Sequence, residues 1–225
     1  MRILALVSAF SLSACASPAV TDNARQDGAS RFLIGTQNVG VVAYIGVPYA
    51  KPPVGDLRWA PPQLMPFPAL QAANTPGLPC LQPTPADGRP NGGGVSGQSS
   101  EDCLHLNVWA PVDAKNAPVM LWLYGGGGTM GSGTVSTYDG TSFARDGVIL
   151  VTANYRHGVL AGFPHPAVEK ANGTADANFH LLDAIAALKW IKANAAAFGG
   201  DADNVTLFGE SAGATIVANL ITSPQ

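Results

Sequence analysis

"LFGESAGA", residues 207–214, joins a short apolar run to a serine boxed in by small residues. "NVTLF" at 204–208 reads as a strand that enters a turn, and "SAGATIVANLIT" from Ser211 onward reads as a helix that leaves it. Gly209-Glu210-Ser211-Ala212-Gly213 fits the pattern G-x-S-x-G, whose serine sits on a strained strand-to-helix turn. Small residues flank that serine because neighbouring side chains would collide in so tight a turn. The turn presents the Ser211 hydroxyl at the end of a sheet, and the helix start aims backbone N–H groups at developing negative charge. Ser211 is thus a candidate nucleophile. A serine of this kind needs an acid and a histidine later in the chain, yet residues 212–225 read "AGATIVANLITSPQ" and contain neither.

Upstream, "PVMLWLYGGGG" is an apolar strand that runs into a glycine loop, Gly125 to Gly128. Such a loop lets backbone N–H groups face a tetrahedral oxyanion without side-chain obstruction. Gly126 and Gly127 with Ala212 are the candidate donors. "GVILVTANY" is a further apolar strand. In "ANFHLLDAIAALKWIKANAAAFGG", Leu181, Ile185, Leu188 and Ile191 recur at helical spacing, and Gly199 ends the helix. Strands alternating with helices or connections predict an α/β fold. "LHLNVWAP" alternates as a strand, and "FLIGTQNVGVVAYIGVPYA" predicts an opening antiparallel ribbon. Between them, residues 61–100 form a long loop dense in Pro, Gly and Ser. No internal repeat is visible.

Composition excludes some functions. The 225 residues are 47% hydrophobic and 12% charged, enough for one domain with a sizeable core. The formal net charge is −3 and there is no basic run, so there is no electrostatic footprint for nucleic acid. Neither a metal-ligand spacing nor a phosphate loop is present, and no cofactor is expected.

"MRILALVSAFSLSACAS" has one Arg, a short apolar run and then small residues, the layout of an export signal. Leu12-Ser13-Ala14-Cys15 resembles a bacterial lipobox, with Cys15 as the lipidated residue, and Ala14-Cys15-Ala16 also fits ordinary A-x-A cleavage. Residues 1–15 are therefore expected to be the signal. The protein is expected in the periplasm, at a cell-envelope membrane surface through a lipid anchor, or secreted. Cys80 and Cys103 remain as an even pair in an oxidising context. A disulfide between them would stabilise the fold by roughly 3 kcal/mol; two separate buried thiols are the alternative.

From about Val39 onward the chain resembles the type-B carboxylesterase family, which includes the cholinesterases. "FGGDADNVTLFGESAG" is similar to that family's nucleophile signature at every defining position, and "EDCLHLNVWAP" to its second signature except at His105, where an aromatic or Thr is usual. "GVPYAKPPVGDLRW" and "ANYRHG" resemble further landmarks in the family's order. The resemblance implies an α/β-hydrolase fold, the Cys80–Cys103 disulfide, an acyl-accepting Ser211, and an oxyanion hole made by Gly126, Gly127 and Ala212. Residues 16–225 would be the N-terminal part of such a domain, truncated after the nucleophile turn. The family's acid and histidine lie in a part with no counterpart here. The chain would hydrolyse small carboxylic esters once a longer frame or a second polypeptide supplied them, and would otherwise be an inactive surface-binding lipoprotein or a gene remnant. The resemblance also implies a strand beside "NVTLF", without which its edge is left open.

Several positions depart from the family pattern. Tyr124 replaces the commoner His, as in cholinesterases. Gly128 stands where an aromatic is usual and should loosen the wall beside the oxyanion loop. Ala161 is an insertion in "RHGVLAGF", and His180 occupies a Gly position in "NFHLLD", where a ring should disturb close packing. His105, His157, His165 and His180 all precede Ser211, and structural roles are expected for them.

Overall fold

A computed structural model describes residues 21–26, 32–67, 71–173 and 177–223. The signal region and Cys15 lie outside them. One mixed sheet organises the chain. Its strands are β1 (Thr21–Gln26), β2 (Phe32–Asn38), β3 (Val41–Pro48), the short β4 (Gln71–Ala72), β5 (His105–Pro111), β6 (Ala117–Leu123), β7 (Ile149–Ala153) and β8 (Gly200–Gly209). The spatial order is β1-β2-β3-β5-β7-β6-β8, with β4 beside β2. The pairs from β1 to β7 along this order are antiparallel, whereas β6 runs parallel to both β7 and β8. The expected opening ribbon is β2 and β3, joined at Val39-Gly40.

Residue alternation explains why helices cover both faces. In β3, Val42 and Tyr44 enter the main core, while Val41, Ala43 and Ile45 pack with Trp109 and Ala144 on the other side. Ala144 belongs to α1 (Thr141–Arg145). The main core is closed by α3 (Phe179–Asn194), the 3-10 turn at Ala195–Phe198 and α4 (Ala212–Ile221). There Phe67 stacks on Trp190 at 6.0 Å and Tyr44 meets Phe198 edge-on at 5.0 Å. A further helix, α2, spans Pro166–Asn172.

The helix expected from "ANFHLLDAIAALKWIKAN" forms, but the buried face is rotated from the expected one. Of Leu181, Ile185, Leu188 and Ile191, Ile191 is buried and the other three are only half-covered, while Phe179, Asp183, Ala186 and Trp190 are buried. Small alanines let the helix approach the sheet closely, and the buried Asp183 is held there by an ion pair rather than by apolarity. The expected strand "NVTLF" is the second half of the longer β8. Cys80 and Cys103 are bonded, with Cα atoms 4.9 Å apart.

Candidate functional site

Ser211 caps α4 with φ 51° and ψ −118°, a backbone conformation that non-glycine residues adopt only at a cost. The Glu210 N–H donates to the Leu123 carbonyl at 3.3 Å, and the Gly213 N–H closes the turn on the Glu210 carbonyl at 2.8 Å. Gly213 has no alternative: a Cβ there would run into the Leu123 carbonyl oxygen and stand 2.7 Å from that of Tyr124. The turn thus sits against the C-terminal end of β6, in register with Leu123↔Gly209. Ser211 itself is exposed.

The glycine loop leaves that same end of β6. Gly126 has φ 118° and its carbonyl accepts from the N–H groups of Thr129 and Met130 at 3.1 and 3.3 Å. Neither Gly126 nor Gly127 donates its own N–H to a described residue. Ala212, as the first residue of α4, has no intrahelical acceptor for its N–H. Three backbone donors are therefore uncommitted near Ser211, as an oxyanion requires.

The loop is held in place by the segment that the disulfide ties down. Gln82, two residues after Cys80, accepts from the Gly131 N–H at 2.8 Å and donates to the Gly131 carbonyl at 2.9 Å. Beyond it, Asn154 accepts from the Gly133 N–H at 2.8 Å and from the Ser132 hydroxyl at 3.0 Å. Thr152 donates to the Gly133 carbonyl at 2.8 Å, and Asn107 bridges Thr152 to the Gly46 N–H. Asn107, Thr152 and Asn154 are buried and satisfied and Gln82 is half-buried, so together they fix a single loop geometry.

Beyond β7 the chain passes under the cavity. Tyr155 stacks on Tyr124 with ring centroids 4.4 Å apart, and each phenol donates to the other residue's carbonyl. Burial pushes both phenols well above their ordinary range. Arg156, fully buried, donates its backbone N–H, Nε and one terminal NH2 to the Asp183 carboxylate at 3.0, 2.9 and 2.8 Å. Its other terminal nitrogen reaches the carbonyls of Arg58 and Ala60, both at 3.0 Å. That clamp ties the loop to α3. Next comes His157, only 2% exposed, edge-on to Tyr124 at 6.5 Å. Burial drops its pKa to about 4, against a smaller opposite pull from a weak hydrogen-bonding contact with the Gly131 backbone, and neither ring nitrogen completes a well-formed hydrogen bond.

These elements enclose a cavity of about 550 Å³, the size of a small-molecule site. Ser211, Ala212 and Gly127 line it together, and Gly126 stands one residue behind. Among the described residues, Ser211 Oγ has no hydrogen bond to a histidine. His157 and His180 nevertheless line the cavity. His105 and His165 do not: His105 begins β5, with burial lowering its pKa, and His165 caps α2 by accepting from the Ala167 N–H at 3.2 Å. Gly128 also lines the cavity, with no atom within 4 Å of where a Cβ would stand, so the wall is open there. Among the described residues, no group of three or more His, Cys, Asp or Glu is placed to hold a metal ion.

Sequence reasoning missed Gln82, the Asn107–Thr152–Asn154 network and the Arg156–Asp183 pair. Their signal was present: each of Asn107, Thr152, Asn154 and Asp183 interrupts an otherwise apolar element. Polar residues in such runs are buried only when bonded, which marks them as structural fasteners.

The model of the carboxylesterase family matches residues 20–225. The chain is 43% identical over 231 residues to the fumonisin B1 esterase of Sphingopyxis macrogoltabida, covering 98% of this chain and 41% of that protein. It is 45% identical over 195 residues to the para-nitrobenzyl esterase of Bacillus subtilis, covering 84% and 38%. Among solved structures, a PNB esterase superposes with a TM-score of 0.77 at 40% identity, covering 91% of this chain and 41% of that one. The chain thus spans well under half the length of the relatives it matches. With its mixed sheet, serine turn and glycine loop in the order that match requires, the chain belongs to the carboxylesterase family and has its α/β-hydrolase fold.

Proposed function

We propose that this chain carries the nucleophile and oxyanion hole of a serine esterase acting on small-molecule carboxylic esters. The observation that carries the reading is Ser211, held at φ 51° on a strand-to-helix turn that shares a cavity with Gly127 and Ala212. In the reaction, Ser211 Oγ adds to the ester carbonyl carbon as its proton passes to a base, and the carbonyl oxygen becomes an oxyanion. The N–H groups of Gly126, Gly127 and Ala212 donate to that oxygen, stabilising it more than the ground-state carbonyl. The tetrahedral intermediate collapses, the alcohol departs with the proton, and Ser211 keeps the acyl group until water repeats the sequence. The base comes from outside the described residues, in a continuation of the chain or a second polypeptide. The N-terminal stretch fits export and anchoring through Cys15 to an envelope membrane, which would place the site on esters outside the cytoplasm.

The test is covalent labelling with a small fluorophosphonate, on the chain together with the continuation or second polypeptide that supplies the base, followed by mass spectrometry of the adduct. The expected result is a single adduct on the peptide that contains Ser211, abolished in Ser211→Ala with folding unchanged. A protein that stays unlabelled, or labels equally after Ser211→Ala, refutes the esterase reading and leaves a non-catalytic binding module.

A further inference from the structure

Three of the departures from the family pattern, at Gly128, Ala161 and His180, are far apart in sequence yet line the one cavity. They are also connected. The backbone N–H and the ring Nδ1–H of His180 both approach the Ala161 carbonyl, at 3.4 and 3.3 Å, and the Gly158 N–H donates to the Gly128 carbonyl at 2.7 Å. His157 lies directly before Gly158 on the same wall. The His180 ring, expected to disturb packing, is seated against the inserted residue. The missing aromatic at Gly128 leaves space in front of them.

We propose that His157 and His180 form a polar subsite beside Ser211 that takes a hydroxyl group of the ester substrate. This rests on the esterase reading of the same cavity. His157 is the strongest observation: the side chain lines the cavity, is almost wholly buried, and has neither nitrogen in a well-formed hydrogen bond among the described residues, the Gly131 backbone being its one weak polar neighbour. A buried polar atom left in that state is costly, so a ligand that completes it gains affinity. The ring is uncharged at neutral pH, with its pKa at about 4, and therefore offers one N–H donor and one lone pair. In His180 the Ala161 carbonyl can only accept, so Nδ1 carries the proton and Nε2 presents a lone pair.

A hydroxyl both donates and accepts, and matches this set. An alkyl chain would leave the imidazole nitrogens unpaired. Among the described lining residues a carboxylate would find no free cation, because the Arg156 guanidinium is taken up by Asp183 and two carbonyls, and the acidic Glu210 adjoins Ser211. The hydroxyl can belong to the acyl or to the alcohol part of the ester.

Two matched pairs of esters test this by protecting Ser211 from the fluorophosphonate in the same base-supplied protein. Ethyl 3-hydroxybutyrate against ethyl butyrate reads the acyl side, and glycerol monobutyrate against propyl butyrate reads the alcohol side. In at least one pair the hydroxyl ester should protect at about tenfold lower concentration, as expected for one completed buried hydrogen bond. His180→Gly, which restores the residue usual in the family, should shrink that ratio. His157→Leu should remove it. Equal protection within both pairs, or a ratio that survives both substitutions, overturns the subsite. A second readout does not need Ser211 to react: the imidazole 15N shifts of His157 should move on addition of the preferred hydroxyl ester and not its apolar partner. If labelling fails while those shifts move, the esterase reading is wrong and the subsite stands. If the shifts stay still at saturating ester, the subsite is wrong.

Discussion

β7 and β8 flank the same strand, β6, in the same parallel sense, and each delivers part of the cavity. β7 leads into Tyr155–His157, and β8 leads into Ser211. All five residues of β7 are buried, because β5 pairs with its far side. β8 pairs only with β6 among the described residues, and of its ten residues only Gly200 is buried. β7 is Ile-Leu-Val-Thr-Ala, whereas β8 opens with the polar Asp201, Asp203 and Asn204, so composition accounts for part of the difference; over the apolar Val205–Phe208 it is the missing second neighbour that leaves β8 half-covered. The consequence for the site is a division of labour. The Tyr155–His157 wall stands on a closed network of buried polar bonds. The nucleophile stands on backbone geometry alone, the strained Ser211 turn and the glycines that admit it.

Removing a fastener from the β7 side should have the largest effect. Asp183→Ala leaves the buried Arg156 guanidinium without its counter-charge, and breaking such a pair costs about 3–5 kcal/mol. Urea unfolding should show that loss, with the Tyr155–His157 loop released as well. A loss below about 1 kcal/mol would mean that water reaches Arg156, and the contrast between the two strands would fail.

Acid should strike the same side next. The folded pKa of His157, about 4, lies below its ordinary 6.5, so its charged form is disfavoured in the native state. Above pH 6.5 the ring is neutral whether folded or not, and its contribution is at its best. As pH falls from 6.5 to about 4 the unfolded chain binds the proton and the folded chain does not, so stability is lost through that window. The loss approaches roughly 3 kcal/mol. His105, also lowered by burial, acts in the same direction. Urea midpoints measured against pH should fall less steeply in His157→Leu; parallel curves would show that the ring is hydrated.

Much of this was legible in the sequence. The strand in "LFGESAGA" enters, the glycines and the small residues of the helix start follow, and physics leaves that turn few other shapes. The glycine loop and the disulfide were legible for similar reasons, being local or supported by pairing. The cavity wall was not, because it is made by contacts between distant segments. Nothing in "RHGVLAGF" says that Ala161 will meet His180, and of the large residues that helical periodicity in α3 selected only Ile191 is buried, beside Phe179, Trp190, three alanines and Asp183. Read separately, the departures predicted a looser wall at Gly128 and disturbed packing at His180, whereas their spatial meeting is visible only in three dimensions.

The smallest effect should come from β8. Leu207 sits opposite Leu121 in the β6–β8 register, and the two differ mainly in cover: Leu121 is fully buried and Leu207 is half-buried. Leu121→Ala removes a side chain from a sealed core and should cost about 2–5 kcal/mol, since the cavity left behind cannot fill. Leu207→Ala removes less buried area and leaves a site that water can enter, so the cavity part largely vanishes and about 1 kcal/mol remains. The pair of values therefore measures how open the β8 side is in solution. If Leu207→Ala costs as much as Leu121→Ala, another surface covers β8 there. Repeating the unfolding at a series of protein concentrations then identifies it, because cover by a second copy makes the midpoint rise with concentration, and cover from within the same chain does not.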